Sequence, residues 1–233
     1  MARLGEALPE MLAARGIETA FALPGLPAIE AFRAIEGSGL RVVWARCAAG
    51  AGFMADGYAR ASGRPAAVIA ITGPGLTGLA TAMGQALSDG APMLALTATN
   101  PPWIAGAGAG APHDLRDAGA LAASVALWSR RVSEPEALAP ALDAAMAQFA
   151  AGRPGPVHIE IPATVLAGPA APPAPPAETP EPPGLSAAQA AEIVARLSTA
   201  RRPLVIAGGG AVSAGARVAA LARRLEAPVL LTS

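Results

Sequence analysis

Few side chains in this sequence of 233 residues can take part in nucleophilic or acid–base chemistry. The chain has two histidines, His113 and His158, and a single cysteine, Cys47. All 17 basic residues are arginine, which excludes a lysine Schiff base and the phosphate-binding lysine of a Walker-type loop. The two histidines, the cysteine and the glycine-rich turns are therefore the features to weigh first.

His113 follows a loop rich in Gly, Ala and Pro at 99–112 and precedes a predicted short helix. It can act on a substrate if Asp114 orients its ring, or it can be a solvated or capping loop residue. Asp114 and Asp117 are interpreted as support for the helix N-terminus, and no metal site is predicted. His158 alternates with isoleucines on a predicted strand, which favours a structural role.

Cys47 excludes an internal disulfide, since it has no second cysteine to pair with, and it fits a reducing compartment. We expect it to be a small buried apolar residue, as most free cysteines are. The alternative is a reactive thiolate whose pKa is lowered by Arg46 and by the start of the helix that follows.

Apolar strand-like runs alternate with helical patterns through the first two thirds of the chain. Strands are predicted at 19–23, 41–45, 66–72, 93–97, 128–132 and 156–161. Helices are predicted at 4–12, 28–35, 46–63, 76–87 and 135–149, with a short one starting at 113–117. Because the strands are almost wholly apolar, we predict an α/β fold with a parallel sheet covered by helices on both faces.

Three turns lie where predicted strands end, at Pro24-Gly25, 46–50 and Gly73-Pro74-Gly75. Ligands of parallel sheets bind beyond the carboxyl ends of the strands, so these turns share the edge where a ligand would sit. The helix that starts at the second turn offers backbone N–H groups and its positive end. Taken alone, Gly73-Pro74-Gly75 is better explained as a tight strand-to-helix turn than as a ligand-binding loop.

The composition divides the chain into a domain at 1–166, a Pro/Ala-rich linker at 167–184 and the start of a second α/β unit at 185–233. The second unit has predicted helices at 187–197 and 214–225 and strands at 203–207 and 228–232. Two strands are fewer than a self-sufficient sheet normally has, so we expect this unit to be truncated. Its Gly208-Gly209-Gly210 segment lacks the full dinucleotide-binding spacing and favours a turn.

Charge and hydropathy exclude two kinds of partner. Charged residues make up 15% of the chain and balance to a net charge of +0, which leaves no basic surface for nucleic acid. Residues 1–20 carry charges within an amphipathic pattern and do not read as a signal peptide, and no apolar run is long enough to cross a bilayer. We therefore expect a soluble, cytoplasmic protein without a membrane partner.

Five stretches, taken in order along residues 4–166, resemble the thiamine diphosphate-dependent enzymes of the acetolactate synthase and 2-oxoacid decarboxylase family. They are Phe21-Ala-Leu-Pro-Gly25, Gly50-Ala-Gly-Phe-Met-Ala-Asp-Gly-Tyr-Ala-Arg60, Thr72-Gly-Pro-Gly75, Ala82-Met-Gly-Gln-Ala86 and Gly155-Pro-Val-His-Ile-Glu-Ile-Pro162. The resemblance implies that 1–166 holds the aminopyrimidine ring of thiamine diphosphate and that the linker leads into the family's central domain.

The resemblance also implies a site formed between two subunits of a homodimer or homotetramer, acting on a small 2-oxoacid. Residues that match its pyrimidine pocket are Pro24, Gly25, Gly73, Pro74 and Gly75, and His113 matches a position that faces substrate. In the family a separate C-terminal domain binds the diphosphate through Mg²⁺, using a Gly-Asp-Gly motif that does not occur here. Some relatives bind FAD in the central domain, and nothing in this sequence selects that option.

Two positions depart from the family pattern. Ala48 stands where the family has the Glu that activates the coenzyme by proton exchange, and Gly78 stands where it usually has an Asn. Since a methyl group cannot exchange a proton, the catalytic expectation is weakened. Sequence alone thus favours the N-terminal part of a thiamine diphosphate-dependent decarboxylase or carboligase. The alternatives are a non-catalytic binding or interaction module and, less favoured, a dinucleotide-binding protein built on Gly208.

Overall fold

The computed structural model describes residues 2–108, 110–150, 152–171, 174–178 and 184–232. The chain divides into two compact units, Met1–Glu181 and Pro182–Ser233. Among the residues described, no helix combines the length and the apolar character that crossing a bilayer requires.

The described part of the first unit is built on a six-stranded parallel sheet, which confirms the predicted fold class. Its strands, in chain order, are β1 Thr19–Ala22, β2 Arg41–Trp44, β3 Ala66–Ile71, β4 Met93–Thr99, β5 Ser129–Arg131 and β6 Pro156–Pro162. The spatial order is β2-β1-β3-β4-β6-β5, so β1 and β3 are neighbours and their carboxyl ends lie side by side.

Helices cover both faces of this sheet. They are α1 Leu4–Ala14, α2 Ala48–Ser62, α3 Pro74–Asp89, α4 Ala118–Ala123, α5 Leu138–Ala150 and α6 Ala163–Ala167. Residues of α1, α5 and α6 share one apolar cluster, and those of α2, α3 and α4 share another. Consecutive residues of β3 alternate between the clusters, with Ala67 and Ile69 in the first and Val68 in the second. This alternation explains why the strands are apolar on both sides.

Two predicted helices form differently. The helix predicted at 28–35 is a 3₁₀ helix at Leu26–Phe32, in which the N–H of Ala28 bonds to the carbonyl of Gly25 three residues back. The proline at its second position lies where a helix N–H has no partner within the helix, so it is tolerated there. The predicted short helix does not start at 113–117, because α4 begins at Ala118.

The packed part of the first unit extends past the predicted boundary at residue 166. The Leu4 N–H bonds to the carbonyl of Gly168, and the Ala170 N–H bonds to the carbonyl of Ala2. The segments 172–173 and 179–183 of the predicted linker lie outside the described residues.

The second unit has two parallel strands, β7 Val205–Ala207 and β8 Val229–Leu231, and the helices α7 Ala187–Thr199 and α8 Gly215–Leu225. A 3₁₀ helix at Gly209–Ala214 replaces the expected plain turn after β7. Most of the apolar side chains on the two strands are exposed, as expected of a sheet with few strands.

Candidate functional site

The turn between β3 and α3 approaches the loop that precedes α4. Gly73 caps α3 with φ of +64° and ψ of −123°, a backbone conformation that favours glycine. A Cβ on Gly73 would collide with the carbonyl of His113 and would lie 2.8 Å from the His113 Cα. Gly73 is therefore required both by its own conformation and by the backbone that packs on it.

A second close approach joins the ends of β1 and β3. Gly25 has an extended backbone, which any residue adopts, yet a Cβ on it would lie 2.5 Å from Cγ2 of Ile71. Gly75 packs on the same side chain, since its Cβ would lie 3.2 Å from Cγ1 of Ile71. Gly25, Gly73 and Gly75 thus lie together at the carboxyl edge of two neighbouring strands.

Helix α2 begins at this edge, and its first residue faces α3. The Ala48 side chain is buried, with 4% of the residue exposed. A Cβ on Gly78 would lie 3.4 Å from the Ala48 Cβ and 3.7 Å from the Ala49 backbone nitrogen. The two positions that depart from the expected polar pattern are therefore adjacent, and a side chain added at 78 would touch Ala48.

Cys47 is exposed, so the prediction of a small buried apolar residue is wrong. It is the N-cap residue of α2, and its Sγ accepts a hydrogen bond from the Gly50 N–H at 3.4 Å. The thiol lies outside the core because an N-cap side chain folds over the open end of its helix.

The loop before α4 is fastened by its own hydrogen bonds. Both carboxylate oxygens of Asp114 accept from the Gly106 N–H, at 2.9 and 3.1 Å, so Asp114 closes the loop and does not orient His113 as hypothesised. Asp117 caps α4 by accepting from the Ala120 N–H at 2.8 Å. His113 is exposed and has φ of +60°, and its backbone, not its ring, contacts Gly73.

His158 is buried in the sheet between two hydroxyl groups. Its Nε2 lies 2.7 Å from Oγ1 of Thr97, and its Nδ1 lies 2.7 Å from Oγ of Ser129. Burial disfavours the charged imidazolium and lowers the pKa of His158 to about 4. The ring is therefore neutral at pH 7 and has the structural role that the strand pattern indicates.

Sequence reasoning missed a cavity of about 420 Å³ at the carboxyl edge of the sheet. It opens beside the loop before α4, and its polar lining includes Thr72, Thr99, Asp114, Asp117, Arg131 and Glu160. A charged residue inside the apolar run of β6 was the available signal, because a buried carboxylate requires a partner. That partner is Arg131, whose Nη2 lies 2.6 Å from Oε1 of Glu160. Across the described residues, no group of three His, Cys, Asp or Glu side chains is placed to hold a metal ion.

Comparison with known proteins identifies the family. A family model described as the N-terminal TPP binding domain of thiamine pyrophosphate enzymes matches residues 2–121, more than half of the chain. The chain is 44% identical to a probable 2-ketoarginine decarboxylase of Pseudomonas aeruginosa over 97% of this chain and 41% of that protein. It is 31% identical to the large subunit of acetolactate synthase isozyme 1 of Escherichia coli, over 97% of this chain and 40% of that protein.

Among solved structures, the chain is similar to a thiamine diphosphate-dependent 4-hydroxybenzoylformate decarboxylase of Rhodococcus jostii. The TM-score is 0.87 at 25% identity, over 99% of this chain and 44% of that one. The chain therefore spans between 40% and 44% of the length of these three proteins. It belongs to the thiamine diphosphate-dependent enzymes and carries their N-terminal coenzyme-binding domain.

Proposed function

We propose that the full-length protein decarboxylates a 2-oxoacid with thiamine diphosphate, and that the glycine turns at the sheet edge form one wall of the coenzyme site. The observation that carries the proposal is the convergence of Gly25, Gly73 and Gly75 on Ile71 and His113. Ile71 excludes a side chain at Gly25, and the His113 backbone excludes one at Gly73, so both glycines are required by the packing of this edge. We infer that a ligand held at the edge would meet main-chain groups.

The backbone of this edge fits an aromatic coenzyme ring. Gly25 and Gly73 bring main-chain groups to the ring, and Pro24 and Pro74 are exposed beside them. Pro74 also starts α3, whose N-terminal end lies at this edge with Gly75 in its first turn. When bound, thiamine diphosphate supplies an electron sink for the loss of CO₂ from a 2-oxoacid.

The side chains of this edge offer no proton exchange at the position where the family has an acid. Ala48 and Gly78 are adjacent, and in the proposed pocket they would contribute only a methyl group and backbone. A missing general acid or base typically lowers a rate by about two to four orders of magnitude. We therefore expect a slow enzyme unless a water molecule or another group takes over the proton.

The same observation supports a second candidate function. A non-catalytic coenzyme-binding or interaction module would also have the glycine turns without a polar side chain at positions 48 and 78. In that case the coenzyme would bind, or the fold would serve assembly, without turnover.

The remaining parts of the site are proposals drawn from the family. A C-terminal domain would bind the diphosphate through Mg²⁺, and the site would be completed between two subunits of a homodimer or homotetramer. FAD, which some relatives bind in the central domain, is possible but has no support from the residues that the structure describes. The single cysteine fits a reducing compartment and so supports a cytoplasmic location.

The test is CO₂ release by the full-length protein with thiamine diphosphate and Mg²⁺, measured over a panel of 2-oxoacids. The name of the 44% identical relative makes 2-ketoarginine the first substrate to include. Coenzyme-dependent CO₂ release supports the enzyme. Coenzyme binding without release from any member of the panel would favour the non-catalytic module, and the absence of both would overturn the proposal.

A further inference from the structure

The cavity of about 420 Å³ adjoins the proposed coenzyme wall. Thr72, which immediately precedes the Gly73 turn, lines it, and so do Asp114, Asp117 and Glu160. Its volume lies in the range of small-molecule sites, and its lining is more polar than that of most such sites. A group bound here would therefore lie next to a molecule held at the glycine turns.

Two buried polar groups in the cavity have unused hydrogen-bonding capacity. Thr72 is 3% exposed, and among the described residues its hydroxyl has no hydrogen-bond partner. The Glu160 side chain is 4% exposed; its Oε1 accepts from Arg131, and within the described part of the chain its Oε2 has no donor. Neither atom is cut off from solvent, since the described residue with a fully buried and unpartnered side-chain atom is Arg15, so water can donate to both. Both residues line the cavity, and a molecule bound there would donate to these atoms in place of water.

The charged residues around the cavity indicate the charge of a molecule that would donate hydrogen bonds there. Three carboxylates line it, those of Asp114, Asp117 and Glu160, against two guanidinium groups, those of Arg116 and Arg131. Arg131 and Glu160 are paired with each other and offset each other's charge, so the remaining charged groups are two carboxylates, Asp114 and Asp117, and one guanidinium, Arg116. Asp117 uses only Oδ1 as the cap of α4, which leaves the other oxygen for a further donor. A net negative, acceptor-rich lining favours a cation with several N–H groups.

We propose that this cavity binds the guanidinium or ammonium end of a 2-oxoacid substrate, with Glu160 and Thr72 as the principal acceptors. The inference rests on the proposed function, because it places the side chain of the substrate beside the glycine turns that hold the coenzyme. Glu160 would accept from the cation through Oε2 while its Oε1 keeps Arg131 in place, and the Asp117 carboxylate adds attraction at the edge of the cavity.

The first test measures substrate preference in the full-length protein. For the wild-type protein, kcat/KM is measured with 2-oxo-5-guanidinopentanoate and with 2-oxohexanoate, whose side chain is uncharged. We expect Glu160→Gln to lower kcat/KM for the guanidino substrate by about ten- to hundredfold, the usual value of a hydrogen bond to a charged group, while the uncharged substrate changes little. A merely structural role would lower both values together.

Two further variants keep the test decisive. Thr72→Val has nearly the same shape, avoids any loss of charge and should reduce the preference by a few fold, about the value of a neutral hydrogen bond. Glu10→Gln is the matched control, because Glu10 is exposed on α1 and does not line the cavity. Equal losses on the two substrates in Glu160→Gln and Thr72→Val, or a wild type that prefers 2-oxohexanoate, would overturn the inference and leave the proposed function standing.

A binding measurement separates this inference from the enzyme proposal. Agmatine carries a guanidinium but no oxoacid, so its binding can be followed by calorimetry even if no decarboxylation is found. Saturable binding that is weakened at least tenfold by Glu160→Gln and unchanged by Glu10→Gln supports the cavity. The inference is refuted if agmatine does not bind to the wild-type protein and kcat/KM is the same for the guanidino substrate and for 2-oxohexanoate.

Discussion

Replacing Ala48 with glutamate tests the proposed coenzyme wall at its most unusual position. Ala48 is the first residue of α2, is 4% exposed and faces Gly78. In the full-length protein, Ala48→Glu should raise the rate of hydrogen exchange at C2 of bound thiamine diphosphate. We expect a gain of about two to four orders of magnitude, the usual contribution of a positioned acid or base. That gain corresponds to a barrier lower by about 2.7 to 5.4 kcal/mol.

The structure indicates what the glutamate would cost. A carboxylate in the first turn of a helix is stabilised by about 0.3 to 1 kcal/mol, whereas burying it without a full set of partners costs about 1 to 3 kcal/mol. Gly78 has no side chain in the path, so a longer residue at 48 can extend past it. The free energy of unfolding should therefore fall by only about 1 to 2 kcal/mol.

The assay is acid-quenched deuterium exchange of the bound coenzyme followed by NMR. Ala49→Glu is the matched control, since it adds the same charge to the same turn but points about 100° away around the helix. The reasoning is refuted if coenzyme binds to Ala48→Glu and exchange stays at the wild-type rate. It is also refuted if Ala49→Glu accelerates exchange equally, because the effect would then be one of charge and not of position.

Three further predictions concern the stability of the first unit. Burial in the folded state lowers the pKa of His158 to about 4, whereas the unfolded chain has a value near 6.5. Below pH 6.5 the unfolded state therefore binds a proton that the folded state does not. The free energy of unfolding, measured with urea, should fall by about 3 kcal/mol between pH 6.5 and pH 4. His158→Gln should flatten that pH dependence, while substitution of the exposed His113 should leave it intact. Gly73→Ala should lower the free energy of unfolding by at least about 2 kcal/mol, more than Gly37→Ala, which has a similar φ of +81° but open space around it. Asp143→Asn should lower the free energy of unfolding by about 3 to 5 kcal/mol in chemical denaturation, because it leaves the guanidinium of Arg15, whose side chain is 2% exposed, without its carboxylate. A loss under about 1 kcal/mol would show that the ion pair is not needed for stability.

The sheet and the glycine turns could be predicted because each depends on local sequence. Wholly apolar runs specify strands buried on both sides, and a parallel sheet brings their carboxyl ends to one edge. This logic located Gly25 and Gly73 correctly at that edge. It could not distinguish the 3₁₀ helix at Leu26–Phe32 from an α-helix, because the apolar spacing of such a short segment suits both. The exposure of Cys47 was missed because capping depends on where α2 begins, within a residue or two.

The cavity could not be predicted because its chemistry depends on pairing between strands. Arg131 and Glu160 are opposite each other in the register of β5 and β6, and β5 is only three residues long. A one-residue shift would place Arg130 or Val132 opposite Glu160, so the sequence alone does not identify which residue pairs with it. The place of Thr72 in the cavity could not be predicted either. A threonine at the end of an apolar strand gives no signal by itself, and only the folded structure shows that Thr72 lines the same cavity as the loop before α4.

Ala48 and Gly78, the two positions proposed to depart from the family pattern, are adjacent, since a Cβ on Gly78 would lie 3.4 Å from the Ala48 Cβ. Helices α2 and α3 are packed closely through small residues, and a Cβ on Gly52 would lie 2.5 Å from the Cβ of Ala82. Such packing holds the two helix starts at a fixed separation, so a polar side chain added at one start must share the space at the other. Ala48→Glu and Gly78→Asn should therefore be non-additive in their effect on coenzyme exchange. The two positions would act independently, although they are adjacent, if the gain in exchange rate of the double variant equals the product of the gains of the single variants.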